Sequence, residues 1–506
     1  MQRFLVRIPI YLLLVSIAVT AAYAGKLPIQ SPIRLSDGQP LKAVYYFPHW
    51  WEPWKSDDGI VSADLNTMKG LGFNTICVDH EVSQAVDREW YWLDREYKLA
   101  DQQNMRVLPW LQLQSADRKA LMKFAHLTVQ AAINQDKKVE DDYINFRDPE
   151  FRRSMALYVI AYLERYGQSP ALLRVKEGKN THRVVGLMLE AGWRNADGLP
   201  LSFDEDNNAY FRKWMKSSYY NLNQLNKKWG TKYKSFDQID PCDKNIFNYE
   251  FKDKSNMPFS VQEHTSFRAR MIDEAMDDIA KQVRKRFKDV LFVAEVAYPF
   301  NSTSANAGVY RWNDANELKS AGFADILFVR TLGNTLIGQP NNDVMVYGDK
   351  LVVPAYRLLD GASDKKAISL ALDCAVTGNG MAYYNWNENA DSSSALYNAP
   401  DRQVLAKIMT TTYDVLCDPD KRHNVPAEAP RPKVTAAPPV VQPANLPAVQ
   451  TTIPAASAPS VIQPAPVIIP PTSPNPGPAA DLQPTTIPSP ATVTAPSEIT
   501  PASPAH

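Results

Sequence analysis

The sequence predicts an α/β fold in which eight strand–helix units close into a (β/α)8 TIM barrel, followed by a disordered Pro-rich tail. Between Lys42 and Leu416, short β-branched or aromatic runs alternate with longer amphipathic stretches, as expected for a parallel sheet covered by helices. The chain has 506 residues with 45% apolar content, enough to bury such a core. Residues 35–420 are therefore predicted as one barrel domain.

The eight predicted strands are runs of seven or eight residues, rich in β-branched and aromatic side chains. They are 42–48, 73–79, 106–113, 184–190, 290–296, 324–331, 351–358 and 380–386. Stretches with an apolar residue at every third or fourth position follow most of them and predict the helices. These are 64–72, 90–105, 151–167, 263–287, 314–322, 363–378 and 401–416. The sixth unit has the weakest helix signal, within 335–350.

The N-terminus has the pattern of a secretory signal peptide. Arg3 and Arg7 precede an apolar run at 11–22, and Ala24 ends a small-residue cleavage motif. A membrane anchor is the alternative, but the run is shorter than the roughly 20 residues that a spanning helix needs. We therefore expect residues 1–24 to be removed, an exported protein in the periplasm or outside the cell, and no integral membrane span afterwards.

The C-terminal part is predicted to be disordered. Residues 425–506 contain 22 of the 39 prolines, interleaved with Ala, Thr, Val and Ser. Such a segment cannot bury a core, and each proline removes a backbone donor. We interpret it as a spacer or stalk.

Composition limits the possible ligands. The formal net charge is zero, so the chain has no field that would attract nucleic acid. The four cysteines are far apart in sequence and form no CxxC pair, and neither an HExxH motif nor a dinucleotide or phosphate-binding glycine loop is present. The sequence therefore predicts neither a metal site nor a cofactor.

In a (β/α)8 barrel the active site lies at the carboxyl ends of the strands. The fourth predicted strand ends in Glu190, a carboxylate that is costly in a buried strand unless it is used or paired. Around the other strand ends the sequence has aromatic, amide and charged side chains, which suit the apolar face and the hydroxyl rim of a sugar ring. The predicted sugar-binding residues are Trp50, Asp79, His80, Trp110, Trp193, Tyr298, Tyr356, Arg357 and Trp386.

The run FRKWMK at 211–216, continued by LNKKWGTKYKSFDQI at 225–239, resembles family 42 of the glycoside hydrolases, the β-galactosidase-like members of clan A. The segments at 45–54 and 380–387 also fit, so the resemblance covers roughly residues 40–415. It implies an exported glycoside hydrolase acting on a β-linked oligo- or polysaccharide, with Glu190 as acid/base. It also implies a nucleophile near the end of the seventh strand.

Two positions depart from the pattern of that clan. Leu189 stands where Asn usually precedes the acid/base, and the seventh strand contains no Glu, so that Asp360 is its nearest carboxylate. Glu295, near the end of the fifth strand, is the best candidate for the second carboxylate. Adjacent strands are ~4.8 Å apart, so Glu295 and Glu190 are expected to converge at the roughly 5–5.5 Å of a retaining enzyme. The other interpretation of Glu295 is a buried acid paired to Arg330 on the sixth strand or to an Arg on a helix.

Two further hypotheses stay open. The missing strand-seven Glu favours a non-catalytic barrel that binds an envelope or extracellular polysaccharide while its tail tethers it. A weaker alternative is a lyase or transglycosidase that uses Tyr356 or His80.

Overall fold

The computed structural model describes residues 30–87, 90–114, 117–190, 200–219, 221–249, 257–297, 322–330, 350–358, 361–387, 395–418 and 420. The predicted signal peptide at 1–24 and the predicted tail at 425–506 lie outside these residues and stay predictions. The predicted helices at 314–322 and 335–350 fall almost entirely outside them. Within the described part, no helix has the length and apolar character needed to cross a membrane.

Twelve strands lie in the described part of the chain, and eight of them form a closed parallel barrel. The strands are β1 (Arg34–Leu35), β2 (Lys42–Tyr45), β3 (Thr75–Glu81), β4 (Arg106–Gln114), β5 (Ala131–Ile133), β6 (Val139–Ile144), β7 (Arg174–Glu177), β8 (Asn180–Glu190), β9 (Val290–Ala297), β10 (Ile326–Arg330), β11 (Leu351–Tyr356) and β12 (Met381–Tyr383). The barrel order is β2, β3, β4, β8, β9, β10, β11 and β12, and β12 pairs with β2 to close it. All eight predicted barrel strands are present, so the predicted fold is confirmed.

Ten α-helices lie in the same described ranges. They are α1 (Asp58–Gly70), α2 (Val82–Asp87), α3 (Tyr91–Gln102), α4 (Arg118–Ala125), α5 (Pro149–Tyr166), α6 (Glu205–Ser218), α7 (Leu222–Trp229), α8 (Phe259–Arg286), α9 (Asp364–Thr377) and α10 (Pro400–Cys417). Sequence features explain several boundaries. Asp57, Asp148 and Asp204 precede α1, α5 and α6, and each accepts a hydrogen bond from a backbone N–H of the first turn.

Strands β1 and β7 and the residues next to them cover the amino end of the barrel. β1 pairs with β7 and β7 with β8, both antiparallel, and this short sheet adds Leu35 and Val175 to the buried core inside the barrel. Ile33 and Leu173 belong to the same core. A ligand that enters the barrel therefore has to come from the carboxyl ends of the strands.

Aromatic rings fill the barrel interior. Tyr45 packs 4.9 Å from Tyr384 and 6.3 Å from Trp110, and Trp110 meets the edge of Phe328 at 5.6 Å between ring centroids. We call these four residues the aromatic floor. The wide Trp110 ring is accommodated because its register partner on β8 is Gly186.

Replacing Gly186 with Ala is expected to destabilise the protein by about 1–3 kcal/mol, the usual range for an overpacked core. The added Cβ would overlap the Trp110 ring, and both residues lie in barrel strands that have little room to move. Urea unfolding measures the change. Gly70→Ala is the control, because nothing lies within 4 Å of the Cβ it would add. An unchanged urea midpoint for Gly186→Ala would show that the floor repacks freely.

The segment after β8 forms a separate aromatic cluster. Phe211 of α6 stacks on Trp229 of α7, and both pack with Phe247 against the first half of α8, around Phe267. Most of the large apolar residues of 211–240, the segment on which the sequence resemblance mainly depends, belong to this cluster or pack against it. Its large apolar side chains are therefore explained by packing.

Candidate active site

Four polar residues lie beside or above the aromatic floor, toward the open end of the barrel. Asp79, Gln112, Glu295 and Arg357 each follow a residue of the interior core by two positions, on β3, β4, β9 and just after β11. Since side chains alternate between the two faces of a strand, all four occupy inward-facing positions. We call them the polar layer. Three were predicted site residues.

Glu190 ends β8 at the same open end of the barrel. Val184 of the same strand lies in the buried core inside the barrel, and position 190 is separated from it by an even number of residues, so the two positions are on the same face of β8. Glu190 pairs in register with Gln114 of β4. The β8–β9 register joins Gly186 to Val293, which puts Glu295 at the level of position 188. Glu190 therefore lies two residues closer to the open end of the barrel than the β8 position that is level with Glu295.

This offset changes the expected spacing of the two carboxylates. Two residues of strand advance the chain by about 6.6 Å, and neighbouring strands are ~4.8 Å apart, so the two Cα atoms are about 8 Å apart. The sequence alone predicts that the two residues lie side by side on neighbouring strands. The register separates their backbones more widely, because strands of a closed barrel are staggered.

Arg357 occupies the inward position at the end of the seventh barrel strand. It follows β11 directly, and its guanidinium lies over the Tyr384 ring, 5.5 Å from the ring centroid. The resemblance to family 42 implies a carboxylate nucleophile near the end of this strand. Among the residues described there, the inward position is occupied by a cation, Arg357.

A buried hydrogen-bond network ties the loop after β2 to α3. Glu96 of α3 lies between two imidazoles: its Oε1 is 2.6 Å from His49 Nδ1, and its Oε2 is 2.6 Å from His80 Nε2. The other nitrogen of His80 is 2.6 Å from the Tyr162 hydroxyl. An ionised carboxylate only accepts hydrogen bonds, so both imidazoles donate to Glu96.

The pKa values in this network favour an ionised Glu96 and a neutral His80. Burial alone raises the pKa of Glu96, but the charge interactions and hydrogen bonds of His49 and His80 outweigh it and lower the pKa to about 2. For His80, burial lowers the pKa, and the attraction of Glu96 opposes the change only in part. Glu96 therefore carries a buried negative charge through the neutral pH range.

The same loop is held at a second point. Trp54 donates from Nε1 to Asp64 of α1 at 2.7 Å, and Tyr46 donates to the same oxygen at 3.2 Å. Burial raises the pKa of Asp64 to about 6, against these hydrogen bonds. Between the two anchors, Trp50 and Trp51 stay 38% and 41% exposed at the rim of the barrel. Trp50 remains a predicted sugar contact.

Three predicted sugar contacts are on the outer face of the barrel. His80 alternates with Asp79 and is wholly buried against α3 and α5, where it binds Glu96 and Tyr162. Tyr356 packs against the core between barrel and helices, and Trp386 is buried within that core. For His80 and Tyr356 the placement differs from the prediction because neighbouring strand residues point to opposite faces. Trp386 lies beyond the end of β12, where strand alternation no longer fixes the direction of a side chain.

Trp110 faces inward, as a site residue should, but it has no exposed surface. It forms part of the aromatic floor beneath the polar layer. The three remaining predicted residues, Trp193, Tyr298 and Asp360, lie outside the described residues and stay predictions.

Glu96 was not predicted, and neither was its pairing with His49 and His80. The sequence contains one indication of this network. Glu96 lies between Leu93 and Leu99 on the buried face of the amphipathic helix α3. A carboxylate on an apolar face indicates a buried partner. The sequence does not show which partner, because His49 and His80 are far from Glu96 along the chain. Among the residues that the structure describes, no cluster of His, Cys, Asp or Glu could hold a metal ion.

Comparison with known families and structures agrees with this architecture. The model of glycoside hydrolase family 42, described as Beta-galactosidase, matches residues 45–321, more than half of the chain. That range contains Glu190, Glu295 and the polar layer up to β9. No curated protein matches the sequence.

Several solved structures of low sequence identity superpose on this chain. A GH42 β-galactosidase of G. stearothermophilus, Gan42B, superposes with a TM-score of 0.50 at 14% identity, covering 76% of this chain and 58% of that one. The β-galactosidase of the psychrophilic Marinomonas ef1 gives 0.47 at 15% identity, covering 74% and 60%. The β-amylase catalytic domain of Paenibacillus polymyxa gives 0.49 at 13% identity, covering 74% and 98%. The chain thus spans about three fifths of the length of these β-galactosidases.

Proposed function

Since the chain belongs to family 42 of the glycoside hydrolases, we propose that it is an exported glycosidase that hydrolyses a β-linked oligo- or polysaccharide, with Glu190 as acid/base. The supporting observation is the position of Glu190. It ends the fourth strand of a (β/α)8 barrel, at the open end and inside the range that the family matches. Carboxyl ends of barrel strands are where catalytic residues of this fold lie.

The reaction needs two carboxyl groups. Glu190 protonates the glycosidic oxygen as the bond to the anomeric carbon breaks, and the leaving sugar departs as a neutral alcohol. Glu295 removes a proton from a water molecule, whose oxygen forms the new bond to the anomeric carbon. In this step the configuration at the anomeric carbon inverts, and the two carboxyl groups have to be about 6.5–9.5 Å apart to leave room for the water molecule.

The polar layer supplies the remaining contacts. In this proposal Asp79 accepts hydrogen bonds from sugar hydroxyls, and Trp50 stacks on a sugar ring at the rim. His80 acts indirectly: through Glu96 and His49 it fixes the loop that carries Trp50. Export is supported by the signal-like sequence at 1–24, and a mature N-terminus near Gly25 would verify it.

The second candidate function is a non-catalytic, polysaccharide-binding barrel. Arg357 favours it, because the inward end of the seventh strand holds a cation in place of a carboxylate. The seventh strand also lies beyond the residues that the family matches.

Turnover of a panel of aryl β-glycosides and soluble polysaccharides separates the two functions. We expect hydrolysis of a β-galactoside, with the α-anomer as the first product seen by proton NMR. Release of the β-anomer first would contradict Glu295 as the base and require a nucleophile. Binding without turnover would favour the second function, and neither binding nor turnover would exclude both.

A further inference from the structure

We propose that Gln112 binds a saccharide hydroxyl at the barrel mouth, its side-chain oxygen accepting the hydrogen bond. The proposal rests on the proposed function, since it takes the ligand of the mouth to be a saccharide. It adds a specificity-determining residue to that site.

Gln112 lies on β4 near the open end of the barrel. Gln112 follows Trp110 of the aromatic floor by two residues, so it is an inward residue of the polar layer. Its register partners are Glu81 on β3 and Met188 on β8, two residues before Glu190. The amide therefore lies one strand away from the proposed acid/base.

The side-chain oxygen of Gln112 lacks a hydrogen-bond donor among the described residues. Gln112 is only 2% exposed, and within the described chain no donor lies within hydrogen-bond distance of its Oε1. A buried acceptor without a donor is unfavourable and rare in folded proteins. Gln135 is a buried glutamine of the ordinary kind, since its Nε2 donates to the carbonyls of Pro241 and Phe247 at 3.2 and 2.8 Å.

The chemistry around Gln112 indicates what would satisfy it. Its companions Asp79 and Glu295 are carboxyl groups, which accept hydrogen bonds when ionised. The donor of the polar layer, the Arg357 guanidinium, lies over the Tyr384 ring. A donor entering from the open end of the barrel is then the natural partner. A sugar hydroxyl donates one hydrogen bond and accepts others, and a site that binds a hydroxyl with a buried amide discriminates against the sugar that lacks it.

The test compares wild type, Gln112→Leu and the control Gln135→Leu. Activity is measured on 4-nitrophenyl β-D-galactopyranoside, or on the aryl glycoside of the panel that the wild type hydrolyses fastest, and on its 2-, 3-, 4- and 6-deoxy analogues. We expect Gln112→Leu to lower kcat/KM on the parent glycoside by about 10- to 100-fold, as for loss of one good hydrogen bond to a ligand. One deoxy analogue should be hydrolysed equally by wild type and Gln112→Leu.

Stability separates a ligand-binding role from a structural one. Gln112→Leu should unfold at the wild-type temperature or above it, because it removes an unsatisfied polar group. Gln135→Leu should unfold at a lower temperature and keep its kcat/KM. A lower melting temperature for Gln112→Leu with equal losses on every analogue would overturn the proposal. A wild type that neither binds nor hydrolyses any saccharide would overturn the proposed function and this inference together.

Discussion

Replacing Glu190 with Gln is expected to lower kcat by about 10²- to 10⁴-fold on glycosides with a poor leaving group, the usual contribution of a general acid. Gln keeps the size and polarity of the side chain but cannot give a proton to the glycosidic oxygen. A 2,4-dinitrophenyl glycoside leaves without protonation, so its kcat should fall far less. The ratio of the two rates is the measurement that identifies an acid.

Glu177→Gln is the matched control for this experiment. Glu177 ends β7 at the amino end of the barrel and is largely exposed, with His182 as its ion-pair partner. Its substitution should leave both rates unchanged. Equal activity of Glu190→Gln and wild type on the poor leaving group would remove Glu190 from the mechanism. A uniform loss on both substrates would indicate a binding role instead.

Replacing Glu96 with Ala is expected to destabilise the protein by about 2–6 kcal/mol, because it leaves two buried imidazole N–H groups without an acceptor, at about 1–3 kcal/mol each. His49 and His80 would each lose an acceptor 2.6 Å away, in a region without access to solvent. Glu164→Ala is the control, because Glu164 forms an exposed ion pair with Arg286, which contributes about 0–1 kcal/mol. Urea unfolding at pH 7 measures both.

The same network predicts how wild-type stability depends on pH. The pKa of Glu96 is lower in the folded chain, so as the pH falls the unfolded chain binds the proton first. The contribution of Glu96 to stability is complete above pH 4.5 and is lost as the pH falls toward about 2, by about 3 kcal/mol in total. The lowered pKa of His80 acts in the same direction, beginning below 6.5. In Glu96→Gln the loss between pH 4.5 and 2 should shrink, and an unchanged profile would contradict the assignment.

Much of the barrel could be predicted because its signals are local. Each strand is a short apolar run, and each long helix repeats its apolar residues every third or fourth position, as Met155, Tyr158 and Tyr162 do on α5. The position of Glu190 followed in the same way, since a strand end is visible in the sequence. The outer-face location of His80 and Tyr356 also follows from alternation, once the first inward residue of each strand is known.

The rest depends on contacts between distant parts of the chain. The pairing of Glu96 with His49 and His80 joins a loop, a helix and a strand, and nothing in their spacing specifies it. The offset between Glu190 and Glu295 comes from the stagger of a closed barrel, which is a property of all eight strands together.

Local periodicity thus accounts for the strands, the long helices and the end of the barrel at which Glu190 lies, because hydrophobic burial selects one face of each element. The pairing of Glu96 with two histidines, the unmet acceptor of Gln112 and the spacing of the two carboxylates arise from strand register and packing. Those depend on which distant residues meet when the barrel closes, and no short stretch of sequence encodes them.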